Sequence, residues 1–251
     1  MDSHRKSILG VPVDTYRQED FFSEVEKVFQ DGRTRTIFAV NPEKIMLAQK
    51  DLELFSALKE ADFLIPDGIG VIVALMCMYG GKLSQLNRVS GIELMQYILD
   101  LANNNRYRIF IFGSSPQVNS GAATRIQNLY PFLVLAGSNH GYITEKDNKL
   151  LIEKINSLDV DVLFVGLGSP KQEKWIHQHK RILKIKICMG IGGSLDVYAG
   201  KISRAPTVMR ILGLEWFYRL IRQPSRIKRQ MVLFKFVLEV IKEMASCRNY
   251  K

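Results

Sequence analysis

The sequence contains few cysteines, and they form no metal-binding pattern. Its 251 residues include three, Cys77, Cys188 and Cys247, and no two of them have the spacing of a zinc site. An odd number of thiols without a disulfide framework is typical of a reducing compartment. We therefore expect a cytoplasmic protein with no metal site.

Long apolar stretches are missing as well. No run reaches about 18 apolar residues, the length that predicts a membrane-spanning helix. The nearest candidate, MVLFKFVLEVI (231–241), is short and contains Lys235 and Glu239. The first ten residues contain no apolar core of a signal peptide. We expect neither a transmembrane helix nor a cleaved leader.

Common cofactor motifs are absent or misplaced. The chain has neither GxGxxG nor a P-loop lysine, which counts against a nicotinamide-dependent dehydrogenase. The triplet DVD (159–161) matches the metal-binding DxD of many sugar-nucleotide transferases. It begins a predicted strand, however, at the end of the sheet opposite the expected ligand crevice. We predict no metal there and no cofactor.

Positive charge is concentrated at one end of the chain. The net charge is +10, and residues 201–251 contain twelve Lys or Arg against three acids, so the first 200 residues are nearly neutral. A basic segment on a neutral body indicates an anionic partner: nucleic acid, anionic lipid or a phosphorylated substrate. Large apolar side chains such as Trp216, Phe217 and Phe234 are interspersed with the basic ones. That mixture is typical of a helix in a membrane interface and argues against nucleic acid.

Through residue 200, short apolar runs alternate with helical patterns. The strand candidates are RTIFAV (35–40), DFLIP (62–66), RIFIFG (108–113), LVLAG (133–137), DVLFVGL (161–167) and IKICMGI (185–191). Nearly continuous apolar runs are typical of strands buried on both faces of a parallel sheet. With helical stretches between them, such as 91–105 and 120–130, they predict an α/β fold with a Rossmann-like, mostly parallel sheet flanked by helices.

After Gly200 the pattern changes to helix alone. Residues 207–221 and 225–244 are predicted helices, separated by Pro224. We therefore divide the chain into an α/β catalytic domain, 1–203, and a basic amphipathic C-terminal appendage, 204–251.

Two polar residues directly follow predicted strands. Asn41 in VNPEKIM could place a side-chain amide at the ligand crevice, which lies at the carboxyl ends of parallel strands. Asp67 in IPDG could serve as a general base there. Asn-Pro and Pro-Asp-Gly are also ordinary turn sequences, and the residues alone favour that interpretation.

The stretch GLGSPKQEKWI (166–176) also follows a strand. Ser169 suits a helix N-cap and Pro170 the first helical position. Lys171 and Gln172 would then lie in the first turn, at the carboxyl edge of the sheet. A well-capped surface helix explains the pattern equally well.

Paired glycines follow the next strand in GIGGSLDVYAGKISRAP (190–206). Gly192 and Gly193 permit close approach of backbone to a ligand, although a flexible turn has the same composition.

Near the end of the chain, arginines recur at intervals of three, four and three residues. The arginines are Arg219, Arg222, Arg226 and Arg229. These arginines would share one face of a helix if Pro224 bends the helix without ending it. On that face they could bind phosphate oxygens, or they could form an ordinary solvated basic surface.

Taken together, these stretches resemble the WecG/TagA/CpsF family of bacterial glycosyltransferases, the N-acetylmannosaminyltransferases. The similar segments are NPEKIMLAQKD, IPDGIGV, RVSGIEL, GLGSPKQEKWI, GIGGSLDVYAGKISRAP and GLEWFYRLIRQPSRIKR. They occur in family order over nearly the whole chain, and the ordered set is far more specific than any one of them.

The resemblance implies an enzyme that moves a hexose derivative from a UDP-sugar to a polyprenyl-diphosphate-linked sugar, for a cell-surface polysaccharide. Catalysis is expected to be inverting and metal-independent. The enzyme would be cytoplasmic and peripheral on the inner face of the cell membrane, with an anionic membrane surface as partner. The sequence leaves the oligomeric state open, a homo-oligomer included.

The resemblance also implies roles for particular residues. Asp67 matches the catalytic base, and Asn41, Arg88 and Gln172 match polar residues of the pocket. The appendage arginines Arg219, Arg226 and Arg229 match residues that meet the acceptor diphosphate. For nucleotide binding we assign the residues of the two glycine turns. This set is Gly168, Lys171, Gly192, Gly193 and Asp196.

One departure from the family affects substrate identity. Ala39 stands where family members often have threonine, so a hydroxyl contact to donor or acceptor is missing. N-acetylmannosamine, its uronic acid or a related sugar remains open as the transferred group. The competing interpretations are a UDP-sugar-binding module without turnover and a basic nucleic-acid-binding protein.

Overall fold

The computed structural model describes residues 4–80, 89–206, 208–209, 215–222 and 227–248. The strands are β1 (Arg5–Ile8), β2 (Val11–Asp14), β3 (Arg35–Val40), β4 (Phe63–Pro66), β5 (Arg108–Gly113), β6 (Val134–Asn139), β7 (Val162–Gly166) and β8 (Ile187–Gly190). The helices are α1 (Gln18–Asp31), α2 (Pro42–Ala48), α3 (Leu52–Lys59), α4 (Ile69–Tyr79), α5 (Gly91–Asn105), α6 (Pro116–Leu129), α7 (Glu145–Ser157), α8 (Lys171–His179), α9 (Ser194–Tyr198), α10 (Glu215–Arg222) and α11 (Ile227–Arg248).

Six strands form one sheet in the order β4-β3-β8-β7-β5-β6. Every neighbouring pair in it is parallel, and each crossover between sequential strands contains at least one helix. This is the predicted Rossmann-like α/β architecture, which the structure confirms. All six strand candidates are found, and their ends shift by at most two residues.

A hydrophobic core lies on each face of the sheet. The first core joins Phe38, Phe110 and Val165 of the sheet to the β1–β2 hairpin and to α2, α3, α4, α7 and α8. The second core joins alternate strand residues, such as Ile109 and Phe164, to α1, α5, α6 and α9. Burial on both faces explains why these strands are continuously apolar.

The β1–β2 hairpin is absent from the sequence prediction. Its turn residues Leu9 and Gly10 have positive φ, 49° and 75°, as a type I′ turn requires, but the usual Asn-Gly signal is missing. The hairpin is tied to the body by Asp14, which pairs with Arg5 at 2.6 Å and accepts the Leu64 N–H at 2.7 Å.

The last helix packs against the α/β body. Phe236 and Val240 of α11 are buried in the first core, 2% and 5% exposed, beside α2 and α4. The predicted helix at 225–244 is thus confirmed from Ile227 onward and extends to Arg248, while residues 225 and 226 lie outside the described residues. Within the predicted helix at 207–221, residues 208–209 and 215–221 are helical, and 207 and 210–214 lie outside the described residues. Pro224, the predicted break, also lies outside them. The division at 203/204 stays a prediction.

A helix both long and apolar enough to cross a membrane is not found in the part of the chain that the structure describes.

Candidate active site

The helices that follow two neighbouring strands, β5 and β7, pack on opposite faces of the sheet. β5 leads to α6, whose Ala122 and Ile126 lie in the second core, whereas β7 leads to α8, whose Trp175 and Ile176 lie in the first core. Such a divergence is a topological switch point, beside which open α/β sheets bind ligands. The candidate site therefore lies at the carboxyl edge of the sheet.

Asn41 and Asp67 lie side by side at this edge. β3 and β4 are parallel with Val40 opposite Pro66, so the residues that follow them are neighbours. The Asp67 N–H donates to the Val40 carbonyl at 2.8 Å, which fixes the backbone of one strand end to the other. Asp67 is partly exposed at this edge.

The Asn41 side chain is engaged by the helix that it caps. Its Oδ1 accepts the Lys44 N–H at 2.8 Å, and Pro42 occupies the first helical turn of α2. The turn chemistry that the sequence favours at Asn41 is therefore present. Asn41 remains partly exposed at the edge, and its amide nitrogen is the group it can offer to a ligand.

Gln172 is almost completely buried, with 3% of its surface exposed. Its Nε2 donates to Glu173 Oε1 at 2.8 Å, and its Oε1 accepts the Gly192 N–H at 2.9 Å. Gly190 provides the room, because a Cβ there would lie 2.9 Å from Gln172 Nε2. The described contacts of Gln172 are thus with the protein.

Glu173 and Lys44 form a buried ion pair beside Gln172. The Lys44 Nζ lies 2.6 Å from Glu173 Oε1 and donates to the Ala39 carbonyl at 2.5 Å, and the two side chains are 6% and 0% exposed. Burial alone would raise the pKa of Glu173, but the charge and hydrogen bond of Lys44 and the Gln172 amide lower it below its ordinary value. The sequence gives no signal for this pair, because 129 positions separate its members.

The expected capping of α8 is wrong by one residue. Pro170, with φ −89° and ψ 0°, occupies the N-cap instead of Ser169, and no side chain caps the helix. Because ψ near 0° lies outside the helical region, helical backbone starts at Lys171. Lys171 is exposed in the first turn as expected, and Gly168, with φ 77°, accepts the Gln172 N–H at 2.9 Å.

The second glycine turn presents open backbone. Gly192 has a φ of 53°, and a Cβ there would meet nothing within 4 Å. Gly193 is exposed, and a Cβ there would lie 3.7 Å from Asp196 Oδ2. Asp196 accepts the Lys201 and Ile202 N–H groups with its backbone carbonyl, which closes the turn after α9.

A second polar contact, Glu93–Arg204, lies between distant segments. Arg204 Nη2 donates to Glu93 Oε1 at 2.5 Å. Glu93 also forms a capping box with Ser90 at the start of α5. Burial alone would raise the pKa of Glu93, but Ser90 and Arg204 lower it below its usual range. The capping box is readable as SGIE in the sequence, whereas its partner 111 positions away is not.

The predicted substrate contacts of four arginines involve side chains that the structure does not describe. Arg88 and Arg226 lie outside the described residues. Arg219 and Arg229 lie in α10 and α11, but their side chains are not among those described. Their roles stay predictions.

These features define a Rossmann-like α/β protein whose candidate site lies at the carboxyl edge of its sheet. A sequence profile of the glycosyl transferase WecG/TagA/CpsF family matches residues 6–250, and the chain belongs to that family. The resemblance inferred from the ordered motifs is thereby confirmed.

Curated relatives match over nearly their full length. A Bacillus subtilis (strain 168) protein is 35% identical over 98% of this chain and 94% of its own length. A Bacillus spizizenii (strain ATCC 23059 / NRRL B-14472 / W23) protein is 34% identical over 92% and 88%. A Staphylococcus aureus (strain MRSA252) protein is 32% identical over 97% and 95%. Each is named N-acetylglucosaminyldiphosphoundecaprenol N-acetyl-beta-D-mannosaminyltransferase.

Proposed function

We propose that this protein transfers N-acetylmannosamine, or a closely related hexose derivative, from a UDP-sugar to a polyprenyl-diphosphate-linked sugar. One observation carries the proposal: three relatives named as N-acetylmannosaminyltransferases of N-acetylglucosaminyldiphosphoundecaprenol match 92–98% of the chain. Their printed name supports a lipid-linked N-acetylglucosamine acceptor. The UDP-sugar donor follows from the family resemblance and from the chemistry of the site.

In the proposed reaction Asp67 takes the proton of the acceptor hydroxyl. The hydroxyl oxygen forms a bond to the anomeric carbon while the bond from that carbon to the UDP oxygen breaks, and the electron pair leaves with UDP. Attack opposite the leaving group inverts the anomeric centre. A carboxylate at the crevice mouth, partly exposed as Asp67 is, suits a base that receives a proton from a bound alcohol.

The departing diphosphate needs positive charge or N–H dipoles. Lys171, exposed in the first turn of α8, and the open backbone at Gly193 are suitably placed at the same edge. The appendage arginines would add further cations at the acceptor diphosphate. Lys171 and the backbone of the glycine turn would stabilise the leaving UDP without a bound metal.

The product of the reaction tests the proposal. Full-length protein is incubated with UDP-N-acetylmannosamine and short-chain polyprenyl-diphosphate-N-acetylglucosamine, with and without EDTA. We expect the lipid to gain the mass of one N-acetylhexosamine equally in both samples. An intact acceptor that stays unmodified with this donor, its uronic acid and related UDP-hexoses would contradict the transferase proposal. Inhibition by EDTA that Mn²⁺ reverses would contradict metal independence alone.

The appendage is proposed to dock on an anionic membrane. One face of α11 packs into the first core through Phe236 and Val240, while another face exposes apolar side chains. The exposed set is Met231, Phe234, Val237, Leu238 and Ile241, at 53–70% exposure. Together with the net charge of +9 in residues 201–251, this is the composition of a helix lying in the lipid interface.

Two substitutions on this exposed face test the docking. Phe234→Ser/Leu238→Ser is expected to lower binding to phosphatidylglycerol-rich vesicles at least about tenfold in a pelleting assay, since both side chains lose apolar burial. Deleting the appendage would also remove Phe236 and Val240 from the core, so point substitutions are the cleaner change.

The control is a matched pair elsewhere on the surface. Leu129→Ser/Phe132→Ser removes side chains that are 56% and 64% exposed at the end of α6. We expect this variant to pellet like the wild type. If the α11 variant also pellets normally, the membrane contact lies elsewhere.

A further inference from the structure

We propose that Lys44 and Glu173 are positioning residues that hold the Gly192 turn in a fixed place relative to Asn41 and Asp67. The proposal rests on the transferase function proposed above. Neither residue is placed to touch a substrate, because their side chains are 6% and 0% exposed. They are proposed to act through Gln172, and the three side chains together are called the Lys44 network.

The network begins on the side of the proposed base. The Lys44 Nζ donates to the Ala39 carbonyl of β3, and its backbone N–H donates to Asn41 Oδ1. The next carbonyl of β3, that of Val40, accepts the Asp67 N–H. Lys44 is therefore bonded to the same strand end that carries Asn41 and holds Asp67.

The network then crosses over β8 to the far side of the site. β8 lies between β3 and β7 in the sheet. Glu173, from the helix after β7, contacts Lys44, from the helix after β3, at 2.6 Å. The same oxygen, Oε1, accepts Gln172 Nε2 at 2.8 Å. The ion pair thus fixes both the distance between the two helix starts and the orientation of the Gln172 amide.

The network ends on the glycine turn. With its Nε2 directed to Glu173, Gln172 presents Oε1 to the Gly192 N–H at 2.9 Å. A Cβ added at Gly192 would meet nothing within 4 Å, so the turn is open at this position, and the helix that follows it, α9, has only five residues. The preceding residue is held as well, because the Ile191 N–H donates to the Val165 carbonyl at 2.9 Å. The Gln172 bond is the described side-chain contact that reaches Gly192 itself, in the turn assigned to the nucleotide.

A purely structural role makes a different prediction. Replacing both members of a buried ion pair with apolar residues of similar volume is often neutral for folding. A pair that only stabilises the fold can therefore be exchanged without loss of function. A pair that orients Gln172 cannot be exchanged in this way without loss of function, because the apolar replacement leaves Gln172 Nε2 without its acceptor.

The test is the variant Lys44→Met/Glu173→Met, measured by amide hydrogen exchange and by steady-state kinetics. We expect a thermal midpoint lowered by only a few degrees, because one buried donor loses its acceptor, and at least about tenfold faster exchange in the segment 190–196, as a local opening gives. We expect kcat to fall about 100-fold because the reacting groups are misplaced, and the donor KM to rise because the turn assigned to the nucleotide is no longer fixed.

Gln172→Met is the second variant, in case the double substitution does not fold. It keeps the ion pair, removes the acceptor of the Gly192 N–H and is expected to give the same faster exchange at 190–196.

The control is Lys174→Met, which removes a partly exposed lysine of the same helix that pairs with Asp51 at 2.8 Å. It should leave both exchange in the segment and kcat unchanged.

Each outcome bears on the proposal. Wild-type exchange at 190–196 in the folded variants would overturn it, and so would faster exchange with wild-type kcat. A wild-type protein without turnover would instead contradict the transferase function. Hydrogen exchange would still show whether the Lys44 network holds the turn.

Discussion

Asp67→Asn is expected to lower kcat by about 10²- to 10⁴-fold, the contribution typical of a positioned general base. The amide cannot accept the proton of the acceptor hydroxyl, but it has nearly the same shape, so the affinity for the UDP-sugar should persist. The measurements are acceptor-dependent turnover and donor binding by calorimetry. Because Asn-Gly sequences deamidate to aspartate, Asp67→Ala is measured beside it as a variant that cannot revert.

The control for this substitution is Asp159→Asn. Asp159 is an exposed aspartate just before β7, at the amino edge of the sheet, and its φ of 46° is tolerated by asparagine. We expect the Asp159→Asn variant to have the same acceptor-dependent turnover rate as the wild type. Turnover of Asp67→Asn and Asp67→Ala within about threefold of wild type, far less than a base contributes, would remove Asp67 as the base.

Lys44→Met is expected to lower the free energy of unfolding by about 3–5 kcal/mol at neutral pH. Removing one partner of a buried ion pair leaves the other charge without compensation, and Glu173 is completely buried. Lys174→Met, which breaks ion pairs of a lysine that is 26% exposed, should cost at most about 1 kcal/mol. Urea unfolding of both variants checks the contrast, and equal small losses would contradict it.

The pH dependence of the Lys44→Met effect follows from the pKa of Glu173. In the wild type that pKa lies below the ordinary value of 4.5, so the stabilisation is present above pH 4.5 and is lost as the pH falls. Without Lys44, burial raises the pKa, and the variant regains stability as Glu173 takes up a proton. The difference between the two proteins should therefore shrink from pH 7 toward pH 4.5. A constant difference would mean that Glu173 is not the charge responsible.

Long-range packing decides which parts of the fold are readable from the sequence. The predicted ranges 35–40, 91–105 and 108–113 match β3, α5 and β5, because burial on both faces or a capping box leaves a local signal. The β1–β2 hairpin has no such signal. Its four-residue strands and Leu9-Gly10 turn are stabilised by Asp14 contacts with Arg5 and with Leu64, which lies 50 positions away.

The same distinction applies to the site. Asn41 and Asp67 are predictable because each follows a strand of a parallel sheet, where ligands bind. The position of Gln172 is predicted by the same rule, since it follows strand β7. The burial of its side chain is not predicted, because Gly190 and Glu173 surround it only after folding. Lys44 and Glu173 would be assigned to a solvated helix surface from sequence alone.

The most direct test of the account is the dependence of UDP release on the acceptor. Full-length protein and UDP-N-acetylmannosamine are mixed with or without short-chain polyprenyl-diphosphate-N-acetylglucosamine, and UDP is measured over time. The account predicts UDP release that needs the acceptor and is lost in Asp67→Ala. UDP binding without release in the presence of intact acceptor, across a panel of UDP-sugars, would contradict it and indicate a protein that binds the nucleotide sugar without transferring it.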